Sequence, residues 1–585
     1  MDPVSKLNRQ IVRLEGRIAD LQTRADRLAN VRLITGFGAL AAVLAVGAFG
    51  PPWAFWLALA LGVIGFGAAV IAHRRLTVAV DRFSGWLAIK RRHVARATLD
   101  WEALPPSPLT PAPEHAFEQD IDLLDLHRML NTCASAGGAH LLYDWLTVHR
   151  PDPAVIEARQ ALVADLTPLA PFRDKLELAG QGVRPLHFDP EPVPAALPPI
   201  IAAMGLLAAV DVVLFGLVLL ERIAPLVLVA ALAVYGGLFL LAFPLTNRTL
   251  STAIDSTDVL HRLSVVTGFI EGYRYGHSDR LRQAAAPILN DRPSAALGGL
   301  GWLAGAARMR RNPFLWVPLN VIVPWDPVVA WLLMRRINAL APKLDGWLAC
   351  WHRLEALSAL AAFSWLRPAA TFPRLDEGGP LFAAEAMGHP LLRDPVTNDF
   401  RLDDPGTVVI ITGSNMAGKS SFLRSVGVTM RLAYAGSTVL AGSLTLRPMR
   451  LFSVIRVNDS LEDGISFFYA EVRQLRALLD DLRREDGLPL FYVIDEIFRG
   501  TNNRERLIGS RAYIRALLAE PGAGLIATHD LELTRLAEEH ESVRNMHFRE
   551  EVAGGRMVFD YRLRPGPCPT TNALLIMAME GLPVE

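Results

Sequence analysis

The chain has 585 residues with 59 basic against 59 acidic side chains, a formal net charge of zero, so nothing global announces a polyanionic partner. Hydrophobic residues make up 51%, enough for membrane segments beside a large core. The three cysteines, Cys133, Cys350 and Cys568, are too widely spaced for a metal or disulfide framework, which suits a reducing compartment.

Residues 1–32 read as a basic helix. Leu7, Ile11, Leu14, Ile18, Leu21, Ala25 and Leu28 alternate spacings of four and three, a heptad seam. Such a helix could pair with a second copy in a short coiled coil, lie on a membrane surface, or pack on its own domain. Residues 33–75 follow as a transmembrane hairpin. Two nearly uncharged runs, 33–49 and 53–72, are joined by Gly50-Pro51-Pro52, and each approaches the twenty or so residues a bilayer core requires. Lys6, Arg9, Arg13, Arg17, Arg24, Arg27 and Arg32 precede this hairpin, and Arg74 and Arg75 follow it. The positive-inside rule then places both flanks in the cytoplasm. With 32 residues ahead of the first apolar run and no small-residue cleavage site after it, a secretory signal peptide is not expected.

Residues 76–197 read as helical, broken by Pro105-Pro106-Ser107-Pro108 and by the proline-rich stretch 190–199. A second hairpin occupies 198–245, where runs 200–220 and 223–243 flank Glu221-Arg222. Asp211 falls near the middle of the third span, where an ionised carboxylate costs about 2.5–3.5 kcal/mol. It reads as a proton or ion site, a polar contact between helices, or an acid held at a water-filled defect. Residues 246–370 form a helical connector in which 314–323 is too short and too proline-flanked for a fifth span. Arg308, Arg310, Arg311, Arg335 and Arg336 could face phosphates or lipid headgroups equally well.

The last segment, 371–585, carries the chemistry. Thr407-Val408-Val409-Ile410-Ile411-Thr412 is β-branched enough for a buried strand, and Phe422, Leu423 and Val426 recur at helical spacing. Between them lies Gly413-Ser414-Asn415-Met416-Ala417-Gly418-Lys419-Ser420, followed by Ser421. Its glycines let backbone N–H groups face phosphates, Lys419 reaches the terminal phosphates of ATP, and the Ser420 hydroxyl suits Mg2+. A second apolar strand, 490–494, ends in Asp495, placed for the metal, and Glu496, placed to polarise a water. A third, 524–527, ends in Thr528-His529-Asp530, which puts His529 near the terminal phosphate as a sensor.

The ordered segments ITGSNMAGKSS at 411–421, DGISFFYAEV at 463–472, IDEIFRGT at 494–501 and ATHDLEL at 527–533 resemble the ATPase domain of the MutS family. Gly388-His389-Pro390-Leu391-Leu392 and Asn398-Asp399-Phe400 look like the family's entry into that domain. Asp122-Leu123-Leu124-Asp125-Leu126, Leu130-Asn131-Thr132, the run 137–146 and Arg159-Gln160-Ala161-Leu162 resemble the start of its helical core. The resemblance implies an α/β ABC-type P-loop ATPase domain at the carboxy terminus, preceded by an all-α, lever-like region that transmembrane hairpins interrupt here. It further implies ATP and Mg2+ as cofactors, a homodimer in which Ser466 contacts the nucleotide of the other subunit, and coupling to DNA in mismatch repair or recombination.

The departures matter as much. The family's amino-terminal mismatch-reading module is not expected, since no segment offers its Phe-x-Glu wedge in a plausible setting and residues before 100 are a basic helix and apolar runs. Little chain follows Asn572-Ala573-Leu574-Leu575 for the family's helix-turn-helix dimerisation element. The expectation is a multi-pass protein of the cytoplasmic membrane with its amino terminus and ATPase domain in the cytoplasm. The rivals are a membrane-bound switch or scaffold acting on a protein partner and an ABC-type transport motor. The latter is disfavoured because no LSGGQ-like signature occurs and four spans make a thin pathway.

Overall fold

The computed structural model describes residues 2–109, 116–183, 198–276, 278–414, 416–456, 467–484, 487–553 and 556–569. Two compact units emerge. One comprises Met1–Asn131, Leu142–Ala170 and Ala359–Glu585, the other Thr132–Leu141 and Pro171–Ser358.

In the first unit, α1 (Pro3–Phe49) and α2 (Pro52–Thr98) pack along one another as a hairpin. The Asp2 carboxylate caps α1 by accepting from the Val4 and Ser5 N–H groups, and Gly50-Pro51 interrupts the helix before α2. Each helix has 47 residues. At 1.5 Å per residue that is about 70 Å, more than twice a hydrocarbon core of about 30 Å. The apolar run is therefore the far end of a longer rod, and the boundaries expected at 32/33 and 75/76 are not breaks in the helices. Among the described residues nothing covers the apolar ends: Phe37 is 72% exposed and Trp53 69%. Part of the heptad seam packs within this chain. Leu7, Ile18 and Leu21 are covered, and Arg91 on α2 reaches Glu15 on α1 at 2.7 Å.

After α2 come α3 (Ala116–Asp120), α4 (Leu123–Leu130), α5 (Ala136–Thr147) and α6 (Pro153–Leu166). The second unit takes the start of α5 and then α7 (Ala170–Gly180), α8 (Pro199–Leu219), α9 (Pro225–Gly272), α10 (Asp279–Ala284), α11 (Ala286–Asp291), α12 (Pro293–Arg308), α13 (Pro313–Ile322) and most of α14 (Trp325–Leu366). The amino-terminal region is thus all-helical among the described residues. On α8, Ile201, Met204, Ala208 and Asp211 form one buried stripe at heptad spacing. Met204 and Ala208 pack on Tyr235 and Ala242 of α9. Asp211 is only 4% exposed, and neither carboxylate oxygen has a hydrogen-bond partner among the described residues, so the polar helix contact is not made as a hydrogen bond. The ten residues of α13 meet α14 at an 86° bend, consistent with a run too short to span alone.

In the same unit, Glu355 on α14 accepts from the Ser135 hydroxyl and from the Ala134 N–H at 3.0 Å, next to the start of α5. Burial pushes its carboxyl up to about 7 from 4.5, against those hydrogen bonds. The folded state therefore holds this proton more tightly than the unfolded chain does. Its contribution is fully present below about pH 4.5 and is lost as pH rises to about 7. Glu355→Gln should flatten that fall, which thermal unfolding midpoints compared at pH 5 and pH 8 would show.

The carboxy-terminal part is α/β with mixed sheets. Its strands are β1 (Arg374–Leu375), β2 (Phe382–Met387), β3 (Asn398–Leu402), β4 (Val408–Thr412), β5 (Ser443–Leu446), β6 (Arg450–Val454), β7 (Leu490–Asp495), β8 (Gly522–Thr528), β9 (Val543–His547), β10 (Glu550–Ala553), β11 (Arg556–Phe559) and β12 (Arg564–Pro565). Its helices are α15 (Lys419–Tyr434), α16 (Phe467–Leu482), α17 (Asn503–Leu518) and the short α18 (Leu536–Glu539). A six-stranded sheet runs β12-β9-β4-β8-β7-β6, parallel except at the β12 edge. Every residue of β4, β7 and β8 is buried, as continuous apolar strands of a covered parallel sheet must be. A four-stranded sheet, β1-β5-β2-β3, lies beside it in the chain, and β10 pairs with β11 as a hairpin.

The segment after α2 is strapped to this domain within the first unit. The Arg431 guanidinium of α15 lies 4.2 Å from the Phe117 ring centroid. Asp120 accepts from the Ser453 hydroxyl and from the N–H groups of Ile455 (3.0 Å) and Arg456 (2.7 Å). Asp122 bridges Arg424 of α15 at 3.1 Å and Arg456 at 2.6 Å.

Candidate functional site

Parallel pairing decides which loops meet. Thr412 of β4 lies opposite Thr528 of β8, and Asp495 of β7 lies opposite Ala527, so the three strands end together. The loops that leave those ends carry the residues singled out in the sequence. This is the carboxyl edge where α/β sheets bind ligands.

The glycine-rich loop begins at Gly413, with φ 144°, where a Cβ would sit 2.7 Å from the Phe548 carbonyl oxygen. It ends at Gly418, with φ 105°, where a Cβ would sit 3.0 Å from the Tyr561 ring. Both positions need glycine for conformation and for space. Gly418 caps α15 without a side-chain hydrogen bond, so the N–H groups of the first turn are left to an anion. Lys419 is 2% exposed, and its ammonium donates to the carbonyls of Gly413 (2.7 Å) and Ser414 (2.8 Å). Burial holds it below the ordinary lysine range, while the carboxylates of Glu496, Asp495 and Glu550 pull the other way. Ala417 is buried and Met416 is exposed at the loop tip. Ser420 and Ser421 stand in the first turn of α15. Asn415 and the segment 463–466, including Ser466, lie outside the described residues.

Glu496 follows Asp495 with φ 64°, and Phe498 has φ 59°, two left-handed non-glycine residues within three positions. Such backbone costs about 1–3 kcal/mol per residue and clusters at functional sites. The turn brings Glu496 Oε1 to 2.9 Å from Nδ1 of His529. Arg499 stands 3.5 Å from Asp495 and 3.8 Å from Glu496. Its N–H is accepted by Glu471 of α16 at 3.2 Å, a carboxyl that burial pushes up. The geometry brings Lys419, Asp495, Glu496 and His529 to one edge of the sheet. Glu496 and His529 remain partly exposed, so water can reach them.

Beside the loop opens a cavity of about 390 Å³, within the range of small-molecule sites. It is lined by His389, Leu392, Asn398, Gly418, Ser421 and Tyr561, among others. Burial drives His389 down to about 4, so its imidazole is neutral at physiological pH. Asn398 fixes the segment around Tyr561 by donating to its carbonyl at 3.0 Å and accepting from Leu563 N–H at 2.7 Å. The segments 388–392 and 398–400 thus border the loop, as their place in the sequence suggests. Tyr561 and Glu550 were not visible from the sequence. They sit more than a hundred residues from the loop in no recognisable motif, and only the β9–β12 path returns them to it.

For a divalent ion the donor set is modest. No group of three or more His, Cys, Asp or Glu residues forms a metal cage among the described residues. Ser420 at the start of α15 and Asp495 at the end of β7 offer oxygen donors of the kind Mg2+ takes, one or two protein oxygens with phosphates and water completing the shell.

Residues 409–585 match the family model described as MutS domain V. Two proteins of Chloroflexus aurantiacus, each described as DNA mismatch repair protein MutS, from strains J-10-fl and Y-400-fl, are each 33% identical to this chain over 267 residues. The match covers 43% of this chain and 27% of each relative, so the similarity reaches only a minor part of those proteins.

Proposed function

The chain belongs to the MutS family through its carboxy-terminal domain, and from that premise we propose that it is a membrane-anchored ATPase working as a homodimer and coupled to DNA. The convergence of Lys419, Asp495, Glu496 and His529 at one sheet edge carries this reading. The N–H groups of residues 413–421 and the Lys419 ammonium bind the phosphates of ATP. Ser420 and Asp495 hold Mg2+, which when bound offsets charge on the phosphate oxygens. Glu496 takes a proton from the attacking water, and His529 orients Glu496 through the 2.9 Å contact. From the family resemblance alone, Ser466, outside the described residues, is the expected contact to the nucleotide of the second subunit.

The cavity at Tyr561 then receives the adenine base. Aromatic stacking of a base is worth about 1–3 kcal/mol, so Tyr561→Ala should weaken ATP binding by about tenfold. Equilibrium titration with ATP and with inorganic triphosphate checks this, because the triphosphate should bind both proteins alike.

The membrane part of the reading rests on four helices among the described residues that are long and apolar enough to cross a bilayer, two of them bare along the whole apolar window. An even number of crossings leaves the amino terminus and the ATPase domain on the same, cytoplasmic, side. The same observation favours a second reading, a membrane-bound switch that acts on a protein partner. A transport motor has no comparable support. Binding of matched, mismatched and branched duplexes by the detergent-purified chain, across a salt series with and without ATP, separates the two. Nucleotide-dependent binding with a steep salt slope supports DNA coupling, and no binding at low salt rejects it in favour of the protein partner.

A further inference from the structure

One carboxylate at the nucleotide site has no part in the mechanism above. Phe548 leaves β9 with its N–H donated to the Thr412 carbonyl at 2.9 Å, at the base of the glycine-rich loop. Two residues on, Glu550 opens β10 and is 6% exposed. Its Oε2 accepts the Ser414 hydroxyl at 2.9 Å. It is also one of three carboxylates whose charge acts on Lys419, with Glu496 and Asp495. The latter two have roles on the metal and the water. Glu550 instead binds the second residue of the loop, on the phosphate-binding element itself.

Two physical conflicts follow once a triphosphate enters. A hydroxyl has one proton to donate, so Ser414 cannot serve Glu550 and a phosphate oxygen together. A carboxylate shielded from water also repels phosphate charge more strongly than an exposed one does. Glu550 and the triphosphate thus compete for the same loop. The carboxylate is held on a hairpin: Glu550 pairs with Phe559 of β11, and the chain reaches Tyr561, at the cavity, two residues later. One hairpin therefore touches the phosphate loop at its first residue and the cavity just beyond its last.

We propose that Glu550 is a latch on the phosphate loop, a carboxylate that occupies the Ser414 hydroxyl until the triphosphate displaces it. The proposal rests on the reading of residues 413–421 as an ATP site. It predicts a gain on mutation, which simple damage to the fold would not produce. Glu550→Gln keeps the side chain's size and removes its charge, and Glu550→Ala removes the contact altogether.

The test is calorimetric titration of the detergent-purified full chain and both variants with ATP and with adenosine, alongside thermal unfolding. The expected result is ATP binding about tenfold tighter in both variants, with adenosine affinity unchanged. If the wild-type chain binds ATP and both variants bind it equally or more weakly, the latch is overturned while the ATP site stands. If the wild-type chain binds no ATP, or binds it as well after Lys419→Ala, the ATP reading itself falls and takes the latch with it.

Discussion

Replacing Lys419 with alanine abolishes nucleotide binding, with ATP affinity falling by at least about a hundredfold in equilibrium titration. The expectation follows from what this ammonium does. It is buried, tied to the carbonyls of Gly413 and Ser414, and surrounded by the carboxylates of Asp495, Glu496 and Glu550. Without it the site presents three acids to a polyanion. Each charge-assisted contact to phosphate is worth about 1.5–3 kcal/mol, and Lys419 would make more than one. An alanine variant that binds ATP within a few fold of the wild-type chain would mean that the loop is not the phosphate site.

Glu496→Gln should give the opposite split, with ATP retained and turnover lowered by about a hundred- to ten-thousandfold, the usual contribution of a general base. The amide keeps the shape of the side chain and its hydrogen bond with His529, but it cannot take a proton from water. Because ATP stays bound, the variant should accumulate in the paired state, visible as a nucleotide-dependent shift in size-exclusion or light-scattering mass. Single-turnover phosphate release separates binding from chemistry. Normal turnover in this variant would remove Glu496 from the base role and leave Asp495 or His529 to be tested for it.

The elements that form the candidate site were legible in the sequence because its parts are local. A β-branched strand, a loop with glycine at both ends and a helix with Lys419 in its first turn are contiguous, and each carries its own pattern. The second and third strands announce themselves by apolar runs ending in Asp495-Glu496 and Thr528-His529, and parallel pairing brings those ends together. Glu550 and Tyr561 escaped notice for the converse reason. They reach the loop through β9 and a hairpin, and an acid or an aromatic in an alternating strand looks like any other.

The helical half shows a different limit. Hydropathy located the apolar runs of α1 and α2, but it placed boundaries where charge changes, whereas both helices continue through those points for 47 residues. A heptad seam likewise says that a helix has a partner without saying which one, and here Leu7, Ile18 and Leu21 of the seam are covered within the chain. The strap formed by Phe117, Asp120 and Asp122 joins residues more than three hundred positions apart. Nothing local in those three side chains foretells it.

The measurement that bears most directly on the account is phosphate release per chain by the full-length protein, reconstituted at increasing density in lipid vesicles with ATP and Mg2+. Release should depend on Mg2+, rise with density as chains pair, and disappear in Lys419→Ala. No release at any density, or release that survives the Lys419→Ala substitution, would contradict it.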